Sequence, residues 1–254
     1  MMSENRREDM ARRIEIMARY RPFAGASVLE IGADANGFAA QMLIDAGAGR
    51  VISSNHHQNW PNDFRGSIER RRVDARRLED SFAPDSLDVI FGVAVMEHID
   101  GLADFYAGAR RVLKPGGLFY VHGGPIWTAA KGHHVHVRGE KAHYRFGDPK
   151  SNPVRDWSHL VRDREGLRDE LLTREVHPPD AETIAQFVYE SGTLNRVGYR
   201  SMCDIFGASG FNLIEQLDAA FKGPPEEILA QIERGPWGGQ KRYDVSGITF
   251  IAKP

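Results

Sequence analysis

The segment Ser27-Val28-Leu29-Glu30-Ile31, followed at once by Gly32-Ala33-Asp34-Ala35-Asn36-Gly37, limits what this chain can fold into more than any other. A short apolar run reads as a buried strand, and glycines let the backbone turn sharply. Residues 38–46 then carry a helical pattern closed by Gly47. The succession repeats. Residues 50–54, 68–74, 86–93 and 118–121 read as further strands. Residues 102–113 read as a helix, apolar at Leu102, Phe105, Tyr106, Ala109, Val112 and Leu113 and stopped by Lys114-Pro115-Gly116-Gly117. Strands alternating with helices pair in parallel with both faces covered, so an α/β fold with a doubly wound, mostly parallel sheet is expected.

A helix with Met10, Ile14 and Met17 on one stripe precedes the first strand. A helix at 199–208 and strands at 211–217 and 245–252 complete the pattern. Residues 123–196 lose the alternation and are rich in His, Arg, Asp, Pro and aromatic residues; they read as a substrate lid inserted into one domain spanning 1–254. With 254 residues, 41% of them hydrophobic, the chain is long enough to bury a full core. Thirty-three basic against thirty-five acidic residues, a formal charge of −2, give no broad attraction for nucleic acid or a membrane surface, so neither is expected as a partner. The single cysteine, Cys203, excludes an intrachain disulfide, and no signal-peptide core or spanning apolar run is seen. A cytoplasmic enzyme is the expectation.

In an open parallel sheet, ligands bind beyond the carboxyl ends of the strands, where the strand order reverses. Five segments follow one another along the chain: Val28-Leu29-Glu30-Ile31-Gly32, Asp74-Ala75, Leu87-Asp88-Val89-Ile90, Val95-Met96-Glu97-His98-Ile99 and Val112-Leu113-Lys114-Pro115-Gly116-Gly117. Their order resembles the class I S-adenosylmethionine-dependent methyltransferases over about residues 25–122 and 197–252. The resemblance implies a Rossmann-like sheet of seven strands, the last antiparallel, and S-adenosyl-L-methionine as cofactor. Gly32, Ala33 and Gly37, with Asp34 in the same loop, would line its methionine and ribose portions. Glu30 would organise the turn and the ammonium group, Asp74 would accept from the adenine amino group, Ala75 would supply an N–H and Val93 a carbonyl. Carboxylates and carbonyls at these positions suit a cationic sulfonium cofactor.

Two departures from the family pattern stand out. The glycine loop lacks its middle glycine and is one residue longer, and Asn55 occupies the place of the acid that commonly holds the ribose hydroxyls. An amide gives up charge-assisted strength there, with His56 and His57 adjacent to compensate. A dinucleotide-dependent dehydrogenase would need G-x-G-x-x-G and an acid near residue 55, and the chain has neither.

Methyl transfer to a hydroxyl or amine needs a proton acceptor, and histidine suits that task near neutral pH. The candidates are His98 and His122 at strand ends, and His133, His134 and His136 at the opening of the insertion. If extended, the last run would turn His134 and His136 to one face and His133 to the other. A divalent metal is left open there, with His143, Asp148 or Asp156 as a third ligand. Trp127, Tyr144, Phe146, Trp157 and Tyr189 together with Arg138, Arg145 and Arg155 suit a pocket for a polar, anionic or sugar-like acceptor. The expected reaction is transfer to oxygen or nitrogen of a small molecule, a secondary metabolite or glycan precursor, with a homodimer as the candidate assembly. Two alternatives stand beside it: non-methylating displacement on the cofactor that releases methylthioadenosine, and a non-catalytic scaffold.

Overall fold

The computed structural model describes residues 4–254. The chain divides into two compact units. The first contains the residues up to His122 with Ile205–Leu217 and Thr249–Pro254, and the second Gly123–Asp204 and Asp218–Ile248.

In the first unit, α1 (Glu4–Tyr20) leads into β1 (Ser27–Ile31), α2 (Phe38–Asp45), β2 (Arg50–Asn55), β3 (Asp63–Arg65) and β4 (Ile68–Arg72). Then come β5 (Leu87–Gly92), α3 (Leu102–Val112) and β6 (Leu113–Gly123). With β9 (Asn212–Ala220) and β10 (Val245–Lys253), the sheet runs β3-β4-β2-β1-β5-β6-β10-β9. β1 pairs in parallel with both β2 and β5, β2 with β4, and β5 with β6. The order therefore reverses at β1: the chain winds outward through β2 on one side and β5 on the other.

The expected doubly wound α/β fold is present, with eight strands in place of seven. The additional strand, β3, lies antiparallel on β4, with Asp63 opposite Arg70 and Arg65 opposite Ile68. Its three residues are all exposed. A strand with no buried face leaves no apolar alternation to read, and this one is tied down by the Asp63–Arg70 ion pair. β6 also starts earlier than residue 118. The Lys114-Pro115-Gly116-Gly117 segment is an irregularity inside the strand, where the register against β5 shifts between Leu87 and Val89.

Ile14 and Met17 of α1, and Ala39, Ala40 and Leu43 of α2, pack with Val28, Val51, Val89 and Leu118 of the sheet. Asp88, only 7% exposed, sits at the amino end of β5. Its carboxylate accepts from the Arg21 guanidinium, from the Ser27 N–H at 2.9 Å and from Lys114 Nζ at 2.9 Å, tying α1, β1 and β6 to β5.

The second unit carries helices where the sequence shows no alternation: α4 (Ser158–Val161), α5 (Arg164–Thr173), α6 (Pro178–Glu190) and α8 (Glu226–Arg234), with α7 (Tyr199–Gly207) at its border. Its strands β7 (His136–Arg138) and β8 (His143–Arg145) form a hairpin. Leu167 and Leu171 of α5 and Ala181, Ile184 and Val188 of α6 join Trp127, Tyr144 and Trp157 in a second core. The signals for α5 and α6 are present in the chain: Asp163 caps α5 by accepting from Gly166 N at 2.8 Å, and prolines open α6. Among the described residues, no helix is long and apolar enough to cross a membrane.

Asp88 is held below the ordinary carboxylate range by these partners even though burial pushes it the other way. A carboxyl with a depressed folded pKa contributes stability above its unfolded pKa and loses it as the pH falls through the folded value. Asp88→Ala should cost roughly 3 kcal/mol in denaturant unfolding at neutral pH, a difference that shrinks in acid.

Candidate functional site

The carboxyl ends of β1 and β5 meet under one side chain. Gly32 has φ 74°, and a Cβ there would stand 2.2 Å from Val95 Cγ1. A Cβ on Gly92 would lie 2.9 Å from Val95 Cγ2. Glycine at both positions therefore lets Val95 pack directly on the backbone at the ends of β1 and β5. Beyond it, the loop closes without its middle glycine because Asp34 takes over the work: its Oδ1 accepts from Asn36 N at 2.8 Å and Gly37 N at 3.0 Å. That turn sets Gly37 at φ 64° as the residue before α2. Asp34 is thus spent on the loop.

Asn55 is a strut between two loops. Its Nδ2 donates to the Ala33 carbonyl at 2.9 Å, its Oδ1 accepts from His57 N at 3.2 Å, and Ala33 N donates to the Ser54 carbonyl at 2.9 Å. A carboxylate here would set acceptor against acceptor at Ala33, which is the physical reason for an amide. His56 and His57 stack at 4.8 Å between ring centroids, both exposed, and burial and then His57 lower the His56 pKa.

Asp74 caps the short helical turn Ala75–Asp80 through Arg76 N at 3.0 Å. It also takes Arg76 Nε at 3.0 Å and Nη2 at 2.7 Å, which holds its carboxyl below the ordinary range. Asp74 is the acidic group expected to meet an adenine, and Arg76 is a competitor for it that the sequence did not flag.

Glu30 is buried at 5% exposure, with Ser53 Oγ donating to it at 2.8 Å. Burial outweighs that bond and pushes its carboxyl up to about 7. His122 turns its Nδ1 toward the Ala94 N–H at 3.3 Å, and its carbonyl accepts from Val95 N at 3.2 Å. With Nδ1 as acceptor, the neutral ring carries its proton on Nε2, and burial lowers its pKa to about 4. His122 consequently presents a donor, which does not suit the base role expected of it. Val93 follows β5 directly, half-buried, beside Ala94 at φ 54°. His98 closes the turn Met96–His98 with its side chain 42% exposed, 3.9 Å from the buried Glu97 carboxylate.

The histidine run of the second unit is not extended. His133 lies in a turn and His134 has φ 48°; only His136 belongs to a strand, so the two-faced arrangement fails. His133 is fully buried, accepts from Val135 N at 3.2 Å, and is held neutral by burial. His134 Nδ1 lies 2.8 Å from the Gly132 carbonyl, with its ring against Phe146 at 5.0 Å. His136 pairs with His143 at 4.8 Å between rings. Asp148 is occupied by Lys150 N and Ser151 Oγ. His159, absent from the expected set, is fully buried with Nε2 2.8 Å from the Trp127 carbonyl and a pKa lowered to about 4. Trp127, Tyr144 and Trp157, expected to line an acceptor pocket, are core residues.

Residues 29–121 match the profile of the methyltransferase domain family. The chain is 34% identical over 99 residues to a probable S-adenosylmethionine-dependent methyltransferase of Mycolicibacterium smegmatis, covering 39% of this chain and 38% of that protein. It is 31% identical over 169 residues to the ubiquinone biosynthesis O-methyltransferase of Paramagnetospirillum magneticum, covering 60% of this chain and 61% of that one. It thus spans less than two thirds of the length of both curated relatives. An S-adenosylmethionine-dependent methyltransferase structure from Mesorhizobium loti superposes with a TM-score of 0.53 at 14% identity, over 94% of this chain and 96% of that one, a likeness of fold.

Asn55→Asp tests the strut. Although it restores the acid common in the family, it should lower stability by about 1–2 kcal/mol at neutral pH, read by chemical denaturation, because the Ala33 carbonyl loses its donor.

Proposed function

We propose that this chain, whose residues 29–121 match the methyltransferase domain family, is a class I S-adenosylmethionine-dependent methyltransferase that transfers a methyl group to an oxygen or nitrogen of a small molecule. One observation carries the reading: the strand order reverses at β1, and there the chain turns at Gly32, φ 74°, into the loop that Asp34 and Gly37 close. The donor set fits the cofactor, since Glu30 at the end of β1 and Asp74 just past β4 suit a cation that bears a free ammonium group. When bound, S-adenosylmethionine would supply an electrophilic methyl on a sulfonium sulfur.

The residues of the chain divide the remaining work. Gly32, Ala33 and Gly37 admit the ligand to the backbone, Asp34 and Asn55 hold that loop in shape, and Ala75 offers an N–H beside Asp74. Asp74 meets the adenine edge by sharing its carboxylate with Arg76. Glu30, protonated in the empty site up to about pH 7, ionises against the ammonium. His122 steadies residues 94–95 as a neutral ring. The proton of an acceptor hydroxyl or amine passes to His98, an imidazole just past β5 whose side chain is 42% exposed. Proximity and orientation supply most of the rate.

Calorimetric titration with S-adenosylmethionine should show binding on the order of micromolar. S-adenosylhomocysteine should appear only when an acceptor is added. Methylthioadenosine formed without acceptor would point to displacement on the cofactor, and absence of binding to a scaffold. His98→Gln should lower turnover about 100-fold while cofactor affinity stays within twofold.

Glu30 gives the reading a pH signature. Its raised folded pKa means the protonated carboxyl stabilises the empty protein at low pH, and that contribution is lost as the pH rises through about 7. Cofactor binding near pH 6 should release a proton from Glu30. Titrations in two buffers of different ionisation enthalpy should show more proton release than Glu30→Gln does, and equal values would remove Glu30 from the ammonium site.

A further inference from the structure

The β7–β8 hairpin of the second unit presents a surface that the methyl-transfer reading leaves unused. Its register places His136 opposite Arg145, Val137 opposite Tyr144 and Arg138 opposite His143. Side chains alternate along a strand, so Val137 and Tyr144, 6% and 9% exposed, turn inward to the core of that unit. The four remaining side chains share the outer face: two guanidiniums on one diagonal and two imidazoles on the other, the imidazole rings 4.8 Å apart.

Nothing in the fold repays this arrangement. Like-charged or cation-bearing residues directly opposite on a hairpin are unfavourable, and each outer rung here sets histidine against arginine. Among the described residues, neither the Arg138 nor the Arg145 side chain forms an ion pair or hydrogen bond. The acids around the hairpin are engaged elsewhere. Asp148, which feels the charge of Arg145, accepts from Lys150 N and Ser151 Oγ, and Glu140 faces His177 at 4.0 Å. Asp180, 1% exposed, accepts from Glu140 N at 2.6 Å, Lys141 N at 3.1 Å and the Tyr144 hydroxyl at 2.9 Å. That last set fixes the hairpin turn, so the outer face is held in place before any ligand arrives.

We propose that the outer face of this hairpin binds a phosphoryl group, with Arg138 and Arg145 clamping its oxygens and His136 and His143 donating to it. The donor chemistry selects an anion: guanidiniums offer N–H groups and no lone pair, and both repel a divalent cation from the imidazoles between them. The scale selects a small ligand. Three residues per strand span about 10 Å and two strands about 5 Å, enough for one phosphate or diphosphate. The formal charge of −2 on the whole chain works against a polyanionic polymer. Partial burial, and then Arg145, His136 and Arg138, lower the basicity of His143, so an arriving dianion will draw a proton onto that imidazole.

The test needs no turnover and does not rest on the methyl-transfer reading. Inorganic pyrophosphate, inorganic phosphate and phenyl phosphate are titrated calorimetrically into the full chain at about 50 mM salt, where exposed charges are weakly screened. Binding should weaken about tenfold or more in R138Q/R145Q, with an unchanged thermal midpoint. In H136Q/H143Q binding should persist and lose its gain in affinity on acidification. Preference for phenyl phosphate identifies the group as one carried on an organic molecule, and preference for the inorganic ions identifies a free anion. Equal affinity in the wild type and R138Q/R145Q overturns the proposal. So does zinc binding that depends on His136 and His143 in the absence of any anion binding.

Discussion

Everything in the first unit follows from β1 being hydrogen-bonded in parallel on both sides. Pairing with β2 and β5 spends its backbone groups and buries its side chains, Val28 and Leu29 completely. What β1 keeps is its carboxyl end, where the chains leading to its two neighbours part company. A crevice at that place is a topological necessity, and the sequence has only to decide what lines it. Here it does so with a glycine on which Val95 packs, and with polar residues most of whose bonding capacity goes to the loops themselves.

That expenditure separates what could be read in the residues from what could not. The strand and helix order, the glycine turn and the family resemblance rest on local pattern, and local pattern survived folding. The roles of Asp34, Asn55 and Asp74 did not follow, because a residue type states which bonds a side chain can make and says little about which neighbour claims them first. Asp34 answers to its own loop, Asn55 to Ala33, Asp74 in part to Arg76. Each partner lies within three residues, or just past the strand paired with its own, so a reading that asked what the backbone would demand of each side chain could have found them.

The insertion was harder for a different reason. Its helices bury one narrow stripe each, as Leu167 and Leu171 do, within a composition dominated by charge. β3 has no buried stripe whatever. His133 and His159 show the converse: residues that look reactive by type are buried, held neutral, and placed against aromatic rings. Burial changes what an imidazole can do more than its position in a motif does.

Val95 ties these themes to history. Its two methyl groups lie over two glycines, Cγ1 over Gly32 and Cγ2 over Gly92, so three positions distant in the chain are occupied as one unit. A side chain cannot enter at 32 or 92 while a branched residue stands at 95. Change at this end of the sheet is therefore ordered in time: position 95 must shrink before position 92 can grow. Position 32 remains closed even then, because its backbone at φ 74° favours glycine on its own account. A lineage can vary the loops around this crevice freely, but its floor changes only by a sequence of steps taken in one direction.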